Sequence, residues 1–246
     1  MFVTYLVLFD LAPLTRQRIW VARDGSGVSG VAYFGRQLAL ACELSAVEAF
    51  SEHAKRQRGE RMIFGPRDRV RAFWQYVQSW HMRPRIVRER QHVMMLDRQR
   101  LRLAPGPVTV RHARREDASA VTHASAELIE QELAYDPRRA SRDFAHNVAQ
   151  MIEHRLWWVA EKDGRICFFC NIGPWCRQTA QLQGIWTPPE LRGQGLATAA
   201  LSAICDRLLE DSPTLSLYVN DFNVPAIALY RRLGFEIVGE YQTMLF

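Results

Sequence analysis

The sequence predicts an α+β protein in which strands and helices alternate along the chain. Three observations support this fold class. Segments with strand character recur along the whole chain, and amphipathic stretches with the 3.6-residue period of a helix lie between them. The composition, with 48% hydrophobic and 24% charged residues, is that of an ordinary globular protein. Because apolar area for a core is ample, disordered and fibrous proteins are excluded.

The first part of the chain predicts the order strand, strand, helix, strand, helix, strand. A turn at Asp24–Gly27 joins the first two strands, and the second helix carries apolar residues on one stripe. That stripe consists of Val70, Phe73, Trp74, Val77 and Trp80. The predicted elements span residues 18–23, 30–42, 44–57, 61–64, 68–80 and 86–96.

A breaker cluster, Ala104-Pro105-Gly106-Pro107, separates this part from the next, and a new strand follows it. We therefore predict two domains, residues 1–106 and 108–246. Strands are predicted at 108–111, 157–161, 165–172, 180–187, 215–219 and 236–246, and helices at 116–132, 143–153, 195–210 and 224–233. Both domains end in the order strand, helix, strand, helix, strand, which indicates an internal pseudo-repeat.

The net charge of +6 is unevenly distributed. Residues 1–107 contain 18 basic and 9 acidic side chains, a net of +9, whereas residues 108–246 contain 14 and 17, a net of −3. The basic surplus therefore belongs to the first domain. Its arginines could form a surface for nucleic acid or an acidic partner, or could simply be solvated. These arginines are Arg67, Arg69, Arg71, Arg83, Arg85, Arg88 and Arg90.

The five cysteines form an odd set without a regular framework, which predicts a reducing compartment. The N-terminal apolar run has no basic segment before it and is shorter than the ~20 residues that cross a bilayer. We expect a soluble, cytoplasmic protein. Cys167 and Cys170 are three residues apart on a predicted strand, so their side chains face opposite sides of the sheet. The histidines are scattered along the sequence, and we therefore expect no metal site.

The most specific segment runs from Gln183 to Thr198, where a strand leads through a proline-bounded loop into Arg-Gly-Gln-Gly and a helix. The first N–H groups of a helix lack internal partners and favour an anion. Gly193 and Gly195 permit close approach, and Arg192 adds a positive charge. The alternative is a tight turn with no ligand. Residues 25–30 match G-x-G-x-x-G but lead into a strand, so we interpret them as a hairpin turn.

A second segment surrounds the predicted last helix. Asn223 is a suitable N-cap, Pro225 fits the first turn and Gly234 fits the C-cap. Tyr230 lies two turns from Asn223 and projects from the same face. The alternative is that Tyr230 is a core aromatic residue.

Together these segments resemble the GNAT acetyltransferase superfamily. Arg192-Gly193-Gln194-Gly195-Leu196-Ala197 resembles its Q/R-x-x-G-x-G/A signature, and residues 223–235 are similar to its N-x-x-A-x-x-x-Y-x-x-x-G-F segment. The resemblance covers residues 108–246. The whole chain also resembles bacterial proteins in which a degenerate GNAT-like domain precedes the GNAT domain. The resemblance thus implies an α+β fold of two GNAT-like domains in tandem, each with a mixed, mostly antiparallel twisted sheet flanked by helices. The first domain lacks the signature and is not expected to bind acyl-CoA.

The resemblance implies transfer of an acetyl group from acetyl-CoA to an amine by direct attack on the thioester. Ile185, Trp186 and Thr187 would lie along the pantetheine arm. Asn223 would contact the cofactor near the thioester, and Tyr230 would give a proton to the departing thiolate. The pyrophosphate would be held by Arg192, Gly193, Gln194, Gly195, Leu196, Ala197 and Thr198.

The residue that takes the proton from the amine is less sharply defined. Glu132 follows the first helix of the second domain, where the family's acceptor site is bordered. Glu130, Asp136 or a water chain near Gln183 could serve instead, and a solvated charged face is the plain alternative. The expected partners are an amine substrate and, as an option, a second copy in a homodimer, but neither nucleic acid nor a membrane. The competing function is a non-catalytic module that senses acyl-CoA or binds an acidic partner through the first domain.

Overall fold

A computed structural model describes residues 18–25, 27–56 and 59–246. The predicted N-terminal apolar run, Ser26 of the first turn and Gln57 of the first helix lie outside these residues. The chain divides into two compact units. Unit 1 groups the described residues up to Met94 with Tyr218–Val224 and Ile237–Phe246. Unit 2 consists of Met95–Leu217 and Pro225–Glu236.

The strands and helices follow the predicted order except at two places, where residues 30–42 contain two strands and a short helix occupies Pro137–Ala140. The strands are β1 (Ile19–Asp24), β2 (Gly27–Phe34), β3 (Gln37–Cys42), β4 (Met62–Pro66), β5 (Ile86–Asp97), β6 (Thr109–His112), β7 (Trp157–Lys162), β8 (Arg165–Cys176), β9 (Thr179–Trp186), β10 (Thr214–Asn220) and β11 (Glu236–Leu245). The helices are α1 (Val47–Ala54), α2 (Arg67–Val77), α3 (Ala118–Leu133), α4 (Pro137–Ala140), α5 (Phe144–Glu153), α6 (Leu196–Asp211) and α7 (Val224–Leu233). Short 3-10 turns precede α1 and α3 and follow the proline-bounded loop after β9.

Unit 1 contains a mixed sheet. β2 pairs antiparallel with β1 and β3, β3 pairs in parallel with β4, and β4 pairs antiparallel with β11. Helices α1 and α2 cover its core through apolar residues at helical spacing. The predicted stripe of α2 is confirmed at Val70, Phe73 and Val77, which are buried, while Trp74 and Trp80 pack partly buried against the same cluster.

The predicted single strand at residues 30–42 is wrong. The chain reverses at Gly35 and Arg36, so that β2 and β3 form a hairpin in which Phe34 pairs with Leu38. A Cβ atom at Gly35 would lie 2.5 Å from the Tyr33 ring, which explains why a glycine stands at the reversal. Because apolar residues flank this glycine on both sides, the sequence pattern alone favours one continuous strand.

Unit 2 has the same kind of sheet. β6, β7, β8 and β9 pair antiparallel in sequence, and β10 adds to β9 in parallel. Helices α3 and α5 supply Val121, Ala124, Val148 and Ile152 to a core that also contains the aromatic residues Trp157, Phe169 and Trp186. Helix α6 buries Leu201, Ile204 and Leu208, as its pattern predicts, whereas Ala197 is only half-buried.

The predicted fold class is confirmed, because each unit contains a mixed, mostly antiparallel sheet with helices packed on it. The division at residues 106–108 stays a prediction, since the compact units group residues by contact and place β11 largely with unit 1. Among the described residues no helix has both the length and the apolar character needed to cross a bilayer.

Candidate active site

The start of α6 is an open, glycine-built turn. Gly193 and Gly195 adopt left-handed φ values of +74° and +76°, and a Cβ atom at either position would meet nothing within 4 Å. The carbonyl of Gly195 accepts the first helical hydrogen bond, from the N–H of Ala199 (3.1 Å). Because the first amides of a helix have no acceptor within it, they are available to an anion here. The side chains of Leu196 and Thr198 point into the core, so these residues can contribute only backbone groups.

The side chain of Arg192 is held beside this turn. Its Nε donates to the carbonyl of Thr187 (3.0 Å), and its guanidinium carbon lies 4.4 Å from the centroid of the Trp186 ring. The planar guanidinium thus covers the buried indole while keeping its charge in solvent. Gln194 Nε2 donates to the carbonyl of Glu190 (3.3 Å) and fixes the other side of the loop.

Strand β9 carries an irregularity that sequence analysis missed. Gly184 has φ +58°, and the pairing between β8 and β9 shifts register between Phe169 and Asn171. A Cβ atom at Gly184 would lie 2.4 Å from Oδ1 of the buried Asn171. A glycine inside a strand pattern often marks a bulge or a close approach, and this was the available signal. The bulge changes the direction of β9 just before Ile185–Thr187.

The end of β9 extends beyond its parallel neighbour. Within unit 2, the ladder between β9 and β10 runs over Thr179–Gln181 and ends at the pair of Gln181 with Ser216. β9 continues to Trp186, and Ile185 is half-buried on this extension. The backbone of this extension therefore has no β10 partner in the described part of unit 2, and can hydrogen-bond an extended ligand.

Tyr230 lies on α7 and is buried, with its ring 5.8 Å from that of Phe235 in an edge-on contact. Burial raises the pKa of Tyr230 above its ordinary value, and the nearby Glu132 carboxylate and the Cys170 and Cys205 thiols act in the same direction. The phenol is therefore protonated at neutral pH. The Glu132 carboxylate, which belongs to the other predicted catalytic residue, therefore disfavours ionisation of the Tyr230 phenol.

The end of α7 requires a glycine. Gly234 has φ +101°, its N–H donates to the carbonyl of Arg231 (3.1 Å), and the N–H of Phe235 donates to that of Tyr230 (3.0 Å). This is the Schellman pattern. A Cβ atom at Gly234 would lie 2.0 Å from the carbonyl oxygen of Arg100, so the backbone of Phe235 is fixed against a neighbouring segment. At the other end, α7 begins directly after Asn223, whose N–H donates to the carbonyl of Asn220 (2.9 Å).

The acidic residues after α3 are not equivalent. Asp136 accepts hydrogen bonds from Nε of Arg138 (2.8 Å) and from its backbone N–H (2.9 Å), which hold the pKa of Asp136 below its ordinary value. A carboxylate used in this way is a poor base. Glu132 is exposed on the last turn of α3, and Glu130 is also exposed but lies two residues away on the helix, so it faces a different side. Glu132 is the one of these acids that contributes to the raised pKa of Tyr230.

The cysteines of the described region are all free thiols. Cys170 and Cys205 are buried, and burial raises the pKa of both. Cys167 Sγ donates to the carbonyl of Ala160 (3.4 Å). Among the described residues no three His, Cys, Asp or Glu side chains form a group that could hold a metal ion.

Several arginines of the predicted basic surface are neutralised within unit 1. Arg67 and Arg90 both contact the Glu240 carboxylate, at 3.1 and 3.4 Å. Arg69 contacts Asp68 and also Glu43, the latter at 3.3 Å. These pairs reduce the positive potential that a polyanion would meet.

Comparison with known families identifies the second part of the chain. The sequence model of the Acetyltransferase (GNAT) family matches residues 121–235. These residues form a GNAT acetyltransferase domain. The model of a domain of unknown function, DUF4081, matches residues 17–121, ahead of the GNAT domain. The predicted resemblance of this region to the GNAT family is confirmed.

Relatives and solved structures agree with this assignment. A mycothiol acetyltransferase of Acidimicrobium ferrooxidans is 33% identical over 46% of this chain and 40% of its own length. An S-alkylcysteine N-acetyltransferase of Bacillus subtilis is 31% identical over 39% of this chain and 59% of its own length. The chain thus matches less than two thirds of either relative. A GNAT acetyltransferase structure from Colwellia psychrerythraea shares the fold, with TM-score 0.61, 14% identity and coverage of 98% and 89% of the two chains.

Proposed function

We propose that the protein is an acetyl-CoA-dependent N-acetyltransferase that moves the acetyl group to an amine by direct attack on the thioester. The observation that carries the proposal is the start of α6, where two left-handed glycines leave the first backbone amides of a long helix open. The start of α6 suits the phosphate groups of acetyl-CoA, because helix N-termini bind phosphate through these amides and through the helix dipole.

We assign the pyrophosphate of acetyl-CoA to residues 192–198. The backbone amides at Gly193–Thr198 supply the hydrogen bonds, and Arg192 supplies a positive charge from its position on Trp186. Gln194 is held against Glu190 and shapes the loop instead of contacting the phosphates through its amide.

We assign the pantetheine arm to the extension of β9. Its amide groups would pair with the backbone of Ile185, Trp186 and Thr187, in the place that a strand would otherwise occupy. The bulge at Gly184 shifts the register with β8 just before this segment, and Trp186 then pairs with Phe169. Asn223 is assigned a contact near the thioester on the family resemblance.

Acetyl-CoA supplies a thioester, whose carbonyl carbon an amine can attack. Once the amine is positioned, no covalent enzyme intermediate is required. The new C–N bond forms as the C–S bond breaks. Glu132 accepts the proton that the amine loses, and Tyr230 donates its phenol proton to the departing sulfur. Burial and the Glu132 carboxylate keep that proton on Tyr230 until the thiolate develops.

The test measures thiol release from acetyl-CoA with a panel of amines, comparing the wild type with Tyr230→Phe. The panel contains S-methylcysteine, an amino sugar, a peptide with a free N-terminus and an N-blocked lysine peptide. We expect at least one amine to support turnover, and a kcat about 100-fold lower in Tyr230→Phe, since general acid catalysis contributes roughly 100-fold or more.

The matched control is Tyr241→Phe, which alters a tyrosine of unit 1 whose pKa burial also raises. Its kcat should stay within about twofold of the wild type. Absence of acetyl-CoA binding in calorimetry would disprove the proposed function. Binding without turnover of any amine would favour the acyl-CoA-sensing module.

A further inference from the structure

A cavity of about 400 Å³ lies in unit 2, between β6, the end of α5 and α6. It is lined by Arg111, His112, Ala113, Arg114, Arg155 and Arg207, and we name it the arginine cavity. Arg207 stands twelve residues after Gly195, which places it ~18 Å along α6 from the turn assigned to the pyrophosphate. The arginine cavity is therefore a separate place on the domain.

The four guanidinium groups differ in their partners. Arg111 pairs with Asp117 and Glu161, and Arg114 lies 3.4 Å from the exposed Glu116. Arg155 and Arg207 form no ion pair with any described carboxylate. Nη1 of Arg207 donates to the carbonyl of Val110 (3.0 Å), which leaves its other N–H groups available. The cavity thus contains two positive charges without a counter-charge.

The charges of Arg155 and Arg207 both act on His112. Arg155 and Arg207 line the cavity together with His112, and burial and the positive charges of both arginines lower the pKa of His112. The imidazole stacks at 3.8 Å on the Trp158 ring, and the guanidinium of Arg207 lies 5.9 Å from the same ring. The His112 ring, backed by Trp158, therefore forms an aromatic wall of the cavity.

Arg155 occupies a backbone position that favours glycine. The N–H of Arg155 donates to the carbonyl of Ile152 and that of Leu156 to Met151, both at 2.9 Å, which is the Schellman pattern at the end of α5. Arg155 has φ +57°, as glycine usually does at this position. An arginine at this position is unfavourable for the backbone, and its side chain lines the arginine cavity.

We propose that the arginine cavity binds the phosphate monoester group of a small molecule. A phosphate monoester carries close to two negative charges at neutral pH, which matches Arg155 and Arg207, and guanidinium groups bind phosphate oxygens in pairs. The volume lies within the range of small-molecule sites. A long polyanion is disfavoured, because residues 108–246 carry a net charge of −3.

The experiment uses isothermal titration calorimetry of the full chain with inorganic phosphate and with phenyl phosphate. Phenyl phosphate tests the aromatic wall, and inorganic phosphate tests the anion alone. We expect both to bind, and phenyl phosphate to bind more tightly. Arg155→Gly, which keeps the Schellman turn, and Arg207→Gln should each raise the Kd at least tenfold, and the double variant should abolish binding. The control Arg142→Gln/Arg177→Gln removes two exposed charges from the same unit and should leave the Kd within twofold.

Saturating CoA serves as the second arm, since its phosphates are assigned to the start of α6. The proposal holds if phenyl phosphate still binds in the presence of CoA. It fails if CoA displaces the phosphate while the arginine variants bind as the wild type does. It also fails if the wild type binds neither probe at 10 mM, or binds only a duplex oligonucleotide. None of these results depends on acetyl transfer, so the site and the proposed function are tested separately.

Discussion

The two halves of the chain contain the same strand–helix–strand arrangement but build its first junction differently. In one half β3 leads through α1 to the parallel strand β4, and in the other β9 leads through α6 to the parallel strand β10. The junction between β9 and α6 passes through two left-handed glycines. The junction between β3 and α1 consists of Glu43 and a 3-10 turn at Leu44–Ala46 that runs directly into the helix.

The charge at the two junctions differs as well. At each, an arginine Nε donates to a carbonyl at the end of the strand, from Arg192 to Thr187 (3.0 Å) and from Arg69 to Cys42 (3.1 Å). Arg69 also contacts the Glu43 carboxylate (3.3 Å), whereas Arg192 has no ion-pair partner among the described residues. An incoming phosphate would meet a carboxylate at the first junction and a free cation at the second.

The strand order at the two junctions is the same, so it does not determine which of them is suited to an acyl-CoA. Both junctions offer a helix after a parallel strand, but only the second combines open amides, absence of side chains and uncompensated positive charge. Function follows from the junction and not from the fold.

The largest effect is expected from placing a carboxylate at the second junction, as the first junction has in Glu43. Gly195→Asp should raise the Kd for acetyl-CoA about 100-fold, which corresponds to about 2.7 kcal/mol, because it puts a negative charge beside the phosphates. Gly164→Asp is the matched control, since Gly164 has φ +73° and equally open space in the β7–β8 turn. Calorimetry with acetyl-CoA should show unchanged binding in Gly164→Asp; equal losses in both would mean that backbone strain, not charge, is responsible.

An intermediate effect is expected on stability. Arg111 holds the pKa of Asp117 below its ordinary value, and Asp117 also accepts a hydrogen bond from the N–H of Arg114 (2.7 Å). This stabilisation is present above the unfolded pKa near 4 and is lost as the pH falls through the lower folded value. Asp117→Asn should cost roughly 2 kcal/mol at pH 7 and flatten the pH dependence below pH 4, because it removes one of the two carboxylate partners of the part-buried Arg111 guanidinium.

The corresponding change in unit 1 is Glu43→Gln. Its pair with Arg69 is largely exposed, so its cost should stay below about 0.5 kcal/mol. Urea unfolding monitored by circular dichroism at several pH values measures both variants. Similar costs for the two would contradict the distinction between a buried and an exposed pair.

The smallest effect is expected from the arginines at the two junctions. Arg192→Gln should raise the KM for acetyl-CoA about fivefold with little change in kcat, because one exposed charge-assisted contact is lost. Arg69→Gln should leave both constants unchanged within about twofold. Steady-state kinetics with varied acetyl-CoA measures both constants. A shift of the KM in Arg69→Gln would show that the first junction also contributes to acetyl-CoA binding.

Much of this organisation could be predicted from the sequence, because the patterns concerned are local. Helical spacing predicts the buried stripe of α2, and Gly193, Gly195 and Gly234 predict a helix start and end that the structure shows. These features depend on residues close together in sequence. The orientation of Arg192 over Trp186 could not be predicted, since it depends on the path of the loop between them.

Features that combine residues far apart in sequence could not be predicted, because no local pattern relates those residues. The arginine cavity combines side chains from β6, the end of α5 and α6, which no local pattern relates. The break at Gly35 was missed because apolar residues surround it, and the bulge at Gly184 because it depends on the register with Asn171. The involvement of Tyr230 and Glu132 in catalysis stays a prediction. The structure adds that the Glu132 carboxylate contributes to the raised pKa of Tyr230.

The pairing of β4 with β11 has a consequence for synthesis of the protein. Met62–Pro66 pairs with Tyr241–Leu245, so the sheet of unit 1 cannot be completed until residues 241–245 have left the ribosome. During that interval β4 has an unpaired edge that can associate with other chains. Nascent chains stalled within the GNAT domain should therefore be held by chaperones, and the rate of release should depend on how soon β11 emerges.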